Sequence, residues 1–202
     1  MGRSISWIAV KDCSAETLLE QFDLERNGDV CEPFNPPCSV KQLANGWTIL
    51  ALQGCEHKFL GAERVKPLSQ GRELVSCWLE EHVMISAAEG WRDGRKLWRV
   101  VHDGEEELGD MEIDGDPPAA FVKILRCARE RQARDDAEVQ ANANELGQAR
   151  LRLMQVDYLF DVPAQLTRSR TGFAHDKRLP IAAGFQTAVA RARTPKRRWL
   201  FW

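Results

Sequence analysis

The sequence predicts an α+β fold in which an antiparallel or mixed sheet of about six strands, including a β-meander, packs against C-terminal helices. Three observations support this prediction. Between Leu74 and Asp116, runs of strand-forming residues alternate with predicted Gly-containing turns at 92–95, 102–105 and 114–116. Asp-Gly suits a tight hairpin because glycine adopts positive φ without steric cost. An Asn45-Gly46 pair stands between two apolar runs. Helical patterns follow Asp116, and strands followed by helices are typical of the α+β class.

The N-terminal part of the chain begins with one strand and one helix. Residues 4–10 (SISWIAV) have the composition of a strand. Ser14 is suited to cap a helix, and residues 17–22 carry leucine and phenylalanine at helical spacing. Asn27-Gly28 is expected to end this helix.

A hairpin, a short helix and the meander follow. Residues 40–43 and 47–52 are predicted strands on either side of Asn45-Gly46. A short helix is expected over residues 62–68. In the meander, the two-residue period typical of a strand is clearest over residues 74–80. There one face of the strand carries Leu74, Ser76, Trp78 and Glu80, and the other carries Val75, Cys77 and Leu79.

The C-terminal part is predicted to be helical. Asp116-Pro117-Pro118 opens a helix, because proline suits the first turn, and its apolar face consists of Phe121, Ile124, Leu125 and Ala128. Residues 129–148 are polar and continue as an exposed helix. A second helix has Asp161 as its cap and Pro163 in its first turn, and runs to Arg170 before Gly172 terminates it. Residues 181–190 are expected to form a last amphipathic turn or two.

These elements predict one α+β domain over residues 1–177, with the sheet in 1–116 and the helices in 117–177. A basic C-terminal tail is expected over 178–202. Residues 168–202 hold nine Lys or Arg and one Asp, a charge of +8; because the whole chain has −2, the rest has −10. Such a split predicts a tail that docks on an acidic partner or on the acidic body of its own chain.

The composition also bears on the compartment. No stretch approaches the ~18 apolar residues that span a bilayer, and residues 1–11 lack the long apolar segment and the cleavage site of a signal peptide. We therefore expect a cytoplasmic protein. Its six cysteines are expected to be free thiols, because a chain of this length does not need disulfides for stability.

Few residue patterns in the chain point to catalysis. His102-Asp103 and His175-Asp176 resemble the metal-binding pair of some phosphohydrolases, but both lie in predicted turns, where the Asp serves the turn. Cys55 and His57 would make a thiolate–imidazole pair. No glycine-rich phosphate loop or GxSxG motif is present. The sequence therefore predicts no cofactor and no metal.

The strongest candidate for a binding surface is an acidic stretch at the end of the meander. The predicted partner-binding residues are Trp91, Glu105, Glu106, Glu107, Asp110 and Glu112, followed by Asp114 and Asp116. A row of carboxylates is either a solvated acidic face, a docking surface for a basic partner or a source of acid–base groups. Five tryptophans in or beside predicted strands are expected to pack in the core: Trp7, Trp47, Trp78, Trp91 and Trp98. Trp91 is additionally proposed as an anchor for the partner.

Three segments resemble a set of uncharacterised bacterial proteins of similar length. They are residues 2–10, the pair EGWRDGR (89–95) and WRVVHD (98–103), and the pair DYLFDVP (157–163) and TGFAHD (171–176). The resemblance covers residues 1 to about 177. It implies no known activity and no functional residues.

Three classes of function remain at this stage. The first is a binding protein, most concretely an immunity protein or antitoxin that neutralises a bacterial toxin by occluding it; this rests on analogy with small acidic α+β inhibitors. The second is a hydrolase-like enzyme using His102 with Asp103 or Cys55 with His57. The third is a nucleic-acid or membrane-surface adaptor, because residues 196–202 mix cations with aromatic rings. A pI near 6.1 argues against a dedicated nucleic-acid binder.

Overall fold

A computed structural model describes residues 2–104, 111–141, 156–176 and 184–192. Its elements in chain order are β1 (Ser4–Lys11), α1 (Ala15–Glu20), β2 (Leu24–Cys31), β3 (Cys38–Gln42), β4 (Trp47–Gln53), a 3₁₀ helix (Lys58–Leu60), α2 (Ala62–Leu68), β5 (Glu73–Glu80), β6 (Ile85–Arg92), β7 (Arg95–Asp103), β8 (Met111–Gly115), α3 (Ala120–Ala141), α4 (Val162–Thr171) and β9 (Phe185–Ala190).

The strands form one large antiparallel sheet. Its nine strands lie in the order β2-β9-β3-β4-β1-β5-β6-β7-β8, and every neighbouring pair is antiparallel. The α+β class is confirmed. The prediction of about six strands is wrong. The sequence predicts no strand at β2, and it predicts a helical turn where β9 lies.

Strand β2 was missed because its sequence is polar. Seven of its eight residues are at least partly exposed, and it lies at an edge of the sheet. Asn27-Gly28 does not end a helix: α1 ends at Glu20, and the Asn-Gly pair lies at an irregularity in the pairing of β2 with β9. Gly28 has φ of 90°, which glycine adopts readily.

Strand β9 was predicted as a helical turn. Residues 185–190 instead pair with both β2 and β3, so the sheet extends beyond the predicted span of 1–116. Phe185 is fully buried, and its ring centroid lies 5.6 Å from that of Phe173. The predicted boundary between residues 177 and 178 lies outside the described residues.

The meander is formed by β5 to β8. Asp93 and Gly94 join β6 to β7 as a two-residue turn with φ of 50° and 73°, which the Asp-Gly sequence predicts. Asp114-Gly115 is not a turn, because both residues belong to β8 and pair with β7. A Cβ on Gly115 would overlap the carbonyl oxygen of Leu97, so only glycine fits there.

Helices cover both faces of the sheet. One hydrophobic cluster joins β1, β4, β5 and β7 to α3 and α4, and a second joins β1, β3, β4 and β5 to α1 and α2. Strand β1 is central: Trp7 packs in the first cluster and Ile8 in the second. A strand buried on both faces reads as a continuous apolar run, as residues 5–10 do.

Helix α4 has the predicted ends. Pro163 lies in its first turn, and Gly172 follows its last residue with φ of 75°. Asp161 occupies the N-cap position, but its side chain makes no capping hydrogen bond. In the described ranges, no helix combines the length and the apolar character required to cross a membrane.

Candidate binding surfaces

The predicted acidic surface is only partly within the described residues. Glu105, Glu106, Glu107 and Asp110 lie outside them. Glu112 lies on β8, which is the edge strand next to β7, and its side chain is 68% exposed. In the sequence, the acidic stretch directly precedes or belongs to the edge strand β8.

A row of charged side chains crosses the meander beside Glu112. Arg99 donates a hydrogen bond from Nη1 to Glu112 Oε1 (2.8 Å), and its Nε lies 3.6 Å from Glu89 Oε1. Lys96 Nζ lies 3.1 Å from the same Glu89 oxygen. Asp114 pairs with Arg99 in the strand register. We call these residues (Glu89, Lys96, Arg99, Glu112 and Asp114) the charged ladder.

The charged ladder lies on the face of the meander opposite α3 and α4. Side chains alternate across a strand, so Val100 and Trp98 point to α3 and α4 while Arg99 points away. The carboxylate of Glu112 is the most exposed of its paired groups, since the side chains of Lys96 and Arg99 are only 34% and 29% exposed. The most exposed charge among these ion-paired side chains is therefore a carboxylate.

Trp91 contacts two residues of the charged ladder from the interior of the protein. Its side chain is buried in the second hydrophobic cluster and only 4% exposed. Its Nε1–H donates a hydrogen bond to Glu89 Oε2 (3.0 Å), and Lys96 Nζ lies 5.7 Å from the ring centroid. Trp91 thus positions Glu89, while its own exposed area is small. Its role as a direct anchor stays a prediction.

Trp78 is only partly buried, whereas the sequence predicts that it packs in the core. It is partly exposed and borders a cavity of about 360 Å³. Its cross-strand neighbour is the small Ala87, and the segment that contains His57 and Leu60 forms the opposite wall. The sequence contained a signal for this exposure, because the two-residue period of a strand puts Trp78 on the same face as the polar Ser76 and Glu80 and not on the face of Val75 and Leu79.

The predicted His102-Asp103 pair does not form. His102 is 1% exposed, and its Nε2 lies 2.6 Å from Asp157 Oδ2. Asp103 points to the opposite face of β7 because successive residues of a strand alternate. Burial raises the pKa of Asp157, but the hydrogen bonds from His102 and from two backbone N–H groups outweigh it and lower that pKa overall. The pair joins β7 to the segment before α4.

Cys55 and His57 do not form a thiolate–imidazole pair. The Cys55 thiol donates to Glu80 Oε2 (3.3 Å), and His57 Nδ1 accepts from the Phe59 backbone N–H (3.2 Å). Burial raises the pKa of the Cys55 thiol, and burial together with Lys58 lowers the pKa of His57. Both directions favour the neutral forms, which is the opposite of what an activated thiolate needs.

The second predicted pair, His175-Asp176, lies in a groove beside α4. Two cavities, of about 740 Å³ and 500 Å³, share Arg3, His175 and Asp176. The larger cavity is also lined by Asp161, Arg131 of α3 and Arg168 of α4. The smaller one is bordered by Phe34, Asn35 and Gln53. We call the two cavities together the arginine groove.

The ring of His175 is held in place within the groove. It stacks on the indole of Trp7, with centroids 5.5 Å apart and an interplanar angle of 17°. Burial lowers the pKa of His175, although Asp176 and Asp161 oppose this. Burial raises the pKa of Asp161, and the carboxylates of Asp176 and Glu81 add to that effect against the influence of His175. Burial therefore favours the neutral form of His175.

The described residues around the two His-Asp pairs were also compared with what a metal ion requires. Within the part of the chain that the structure describes, no group of three or more His, Cys, Asp or Glu side chains is arranged to hold a metal ion. Residues 196–202, on which the adaptor hypothesis rests, lie outside that part, and of the predicted basic tail 178–202 the structure describes only residues 184–192.

Comparison with family models, with curated proteins and with solved structures finds no match to this chain. The resemblance to bacterial proteins of similar length accordingly stays a prediction.

Proposed function

We propose that the protein is a binding protein, most concretely an immunity protein or antitoxin that neutralises a bacterial toxin by direct binding and occlusion. The observation that carries this proposal is the charged ladder. It lies on the face of the meander away from α3 and α4 and ends at the edge strand β8. The acidic stretch of residues 105–110 precedes that strand directly in the sequence.

The charge of this surface fits a basic cleft. The ladder holds three carboxylates against two cations, and its cations are each engaged by Glu89 or Glu112. Glu105, Glu106, Glu107 and Asp110 add four more carboxylates immediately before β8. A surface of one sign accelerates the encounter with a partner of the opposite sign and disfavours acidic competitors. Toxins that act on nucleic acids have clefts of the required positive charge.

Trp78 supplies an apolar anchor on the same face. Interfaces typically centre on a few large side chains, among which tryptophan is enriched. Trp78 is partly exposed beside a cavity into which a side chain of the partner would fit. Strand β8 adds a free edge in the described part of the sheet, to which a strand of the partner would pair through backbone hydrogen bonds.

The alternative of a hydrolase-like enzyme has less geometric support. His102 is buried against Asp157, and Cys55 and His57 have separate partners. A nucleophile and its base must lie within hydrogen-bonding reach of each other, and these two predicted sites do not meet that condition.

The proposal is tested by capture followed by a neutralisation assay. The tagged full-length chain would be used to purify partners from its native host at moderate salt. We expect one stoichiometric protein whose expression alone arrests growth of a bacterial host, and whose toxicity disappears when this chain is co-expressed. A captured partner without toxicity, or toxicity that co-expression does not relieve, would refute the immunity function.

A further inference from the structure

The arginine groove holds three cations that lack an ion pair among the described residues. Arg3 directly precedes β1, Arg131 lies on α3 and Arg168 on α4, so three separate parts of the chain bring arginines to the lining of one cavity. The ion pairs of the described chain involve other basic residues. Guanidinium groups that converge on a concave site bind oxyanions well, because each offers several N–H donors in a planar fork.

The groove also presents three carboxylates: Glu81 accepts a hydrogen bond from the Arg3 backbone N–H (2.8 Å), and those of Asp161 and Asp176 have no hydrogen bond or ion pair among the described residues. Asp161 stands at the N-cap of α4 without capping it, and lines the cavity instead. Asp176 lines both cavities. Carboxylates repel an anion but accept hydrogen bonds from hydroxyl groups. The groove therefore suits a ligand that combines an anionic group with hydroxyl groups.

The size and lining of the groove fit a small organic molecule. The larger cavity, about 740 Å³, lies within the usual range for ligand sites. The adjoining cavity adds the partly exposed Phe34 and the amide of Asn35. Gln53 donates hydrogen bonds to the carbonyl oxygens of Phe34 and Asn35 (3.0 and 2.7 Å), which fixes that wall.

We infer that the arginine groove binds a small phosphate monoester with a hydroxyl-bearing body. Arg3, Arg131 and Arg168 hold the phosphate, and Asp161 and Asp176 accept the hydroxyl groups. His175 is held by Trp7 between the two cavities and borders both. This inference goes beyond the proposed function and does not depend on it, because the charged ladder lies on the other side of the meander.

The test is calorimetric titration of the full chain with four probes: adenosine 5′-monophosphate, ribose 5-phosphate, adenosine and inorganic phosphate. We expect both esters to bind with a dissociation constant of about 1 mM or tighter, and adenosine not to bind. If the nucleotide binds more tightly than ribose 5-phosphate, the natural ligand is a nucleotide. If the two bind equally, the groove recognises only the sugar phosphate part. Either result supports the inference.

Matched variants show whether the binding occurs in the groove. Arg131→Gln with Arg168→Gln is expected to weaken ester binding about tenfold or more, and Arg168→Gln alone is expected to weaken it less. Arg64→Gln with Arg126→Gln removes the same charge elsewhere and is expected to leave binding unchanged. Absence of ester binding up to about 10 mM, equal loss in both double variants, or inorganic phosphate binding as tightly as the esters would overturn the inference.

Discussion

His102 is paired with Asp157, which lies 55 residues further along the chain, at a distance of 2.6 Å between Nε2 and Oδ2. The same carboxylate accepts the backbone N–H groups of Leu159 and Phe160 through its other oxygen. One aspartate therefore joins β7 to the segment that leads into α4. The sequence motif His102-Asp103 suggested a chemical pair, whereas the structure shows a contact that holds two elements together.

Asp157→Asn is expected to lower the free energy of unfolding by about 2 kcal/mol at pH 7, because charge-assisted hydrogen bonds contribute about 1.5–3 kcal/mol. The pKa of Asp157 is lowered in the folded state, so its contribution is present above the unfolded pKa and is lost as pH falls below it. Urea unfolding at pH 7 and pH 3.5 measures this. The exposed Asp114→Asn is the control, and an equal loss in both variants would contradict the assigned role.

Gly90→Ala is expected to destabilise the fold by about 1–3 kcal/mol, as overpacking of a core does. A Cβ on Gly90 would overlap Nε1 and Cε2 of Trp98, whose side chain is only 5% exposed and cannot move aside. The cost should shrink when Trp98 is replaced by Leu, because the smaller side chain leaves room. A double-mutant cycle by thermal unfolding checks this, and strict additivity would argue against the overlap.

Glu80→Gln is expected to destabilise the protein by about 1 kcal/mol at pH 7. Hydrogen bonds from Ser4 and His82 are the main causes that lower the pKa of Glu80 from 4.5 to about 2. A depressed pKa means that the contribution is complete above pH 4.5 and is lost as pH falls toward 2. Melting temperatures of wild type and variant should therefore converge on acidification. A constant difference across this range would show that the charge of Glu80 is not responsible.

Phe185→Ala is expected to cost about 3 kcal/mol or more, since deletion of a buried phenylalanine ring typically costs 3–5 kcal/mol. Phe185 is fully buried, whereas Val189 on the same strand is 38% exposed. Val189→Ala should therefore change stability by less than about 0.5 kcal/mol. Denaturant titrations measure both. Similar small effects would show that β9 is not an integral strand of the sheet.

The parts of the fold that sequence predicted are those with a local physical signal. Asp93-Gly94 predicted its hairpin because both residues need positive φ, and Pro163 and Gly172 marked the ends of α4. Strands β2 and β9 carry no such signal. They pair with each other although about 160 residues separate Arg26 from Gln186, and only that long-range pairing makes them strands.

The same distinction applies to the candidate surfaces. The acidic composition before β8 and the outward register of Trp78 are visible in the sequence. The presence of Arg3, Arg131 and Arg168 in the lining of one cavity is not, because these residues are far apart in the sequence and only the fold brings them together. Trp91 lies in a strand like the other tryptophans, and only the structure shows that its indole supports Glu89.

The most direct test of the proposed function is the association rate of this chain with its purified partner, measured by stopped flow at several salt concentrations. Glu112→Lys with Asp114→Lys reverses two charges of the ladder, and Glu25→Lys with Asp29→Lys reverses two at the opposite edge strand β2. We expect association about tenfold slower at low salt, with weaker salt dependence, for the first variant only. Equal rates for both variants and the wild type would contradict binding through the charged ladder.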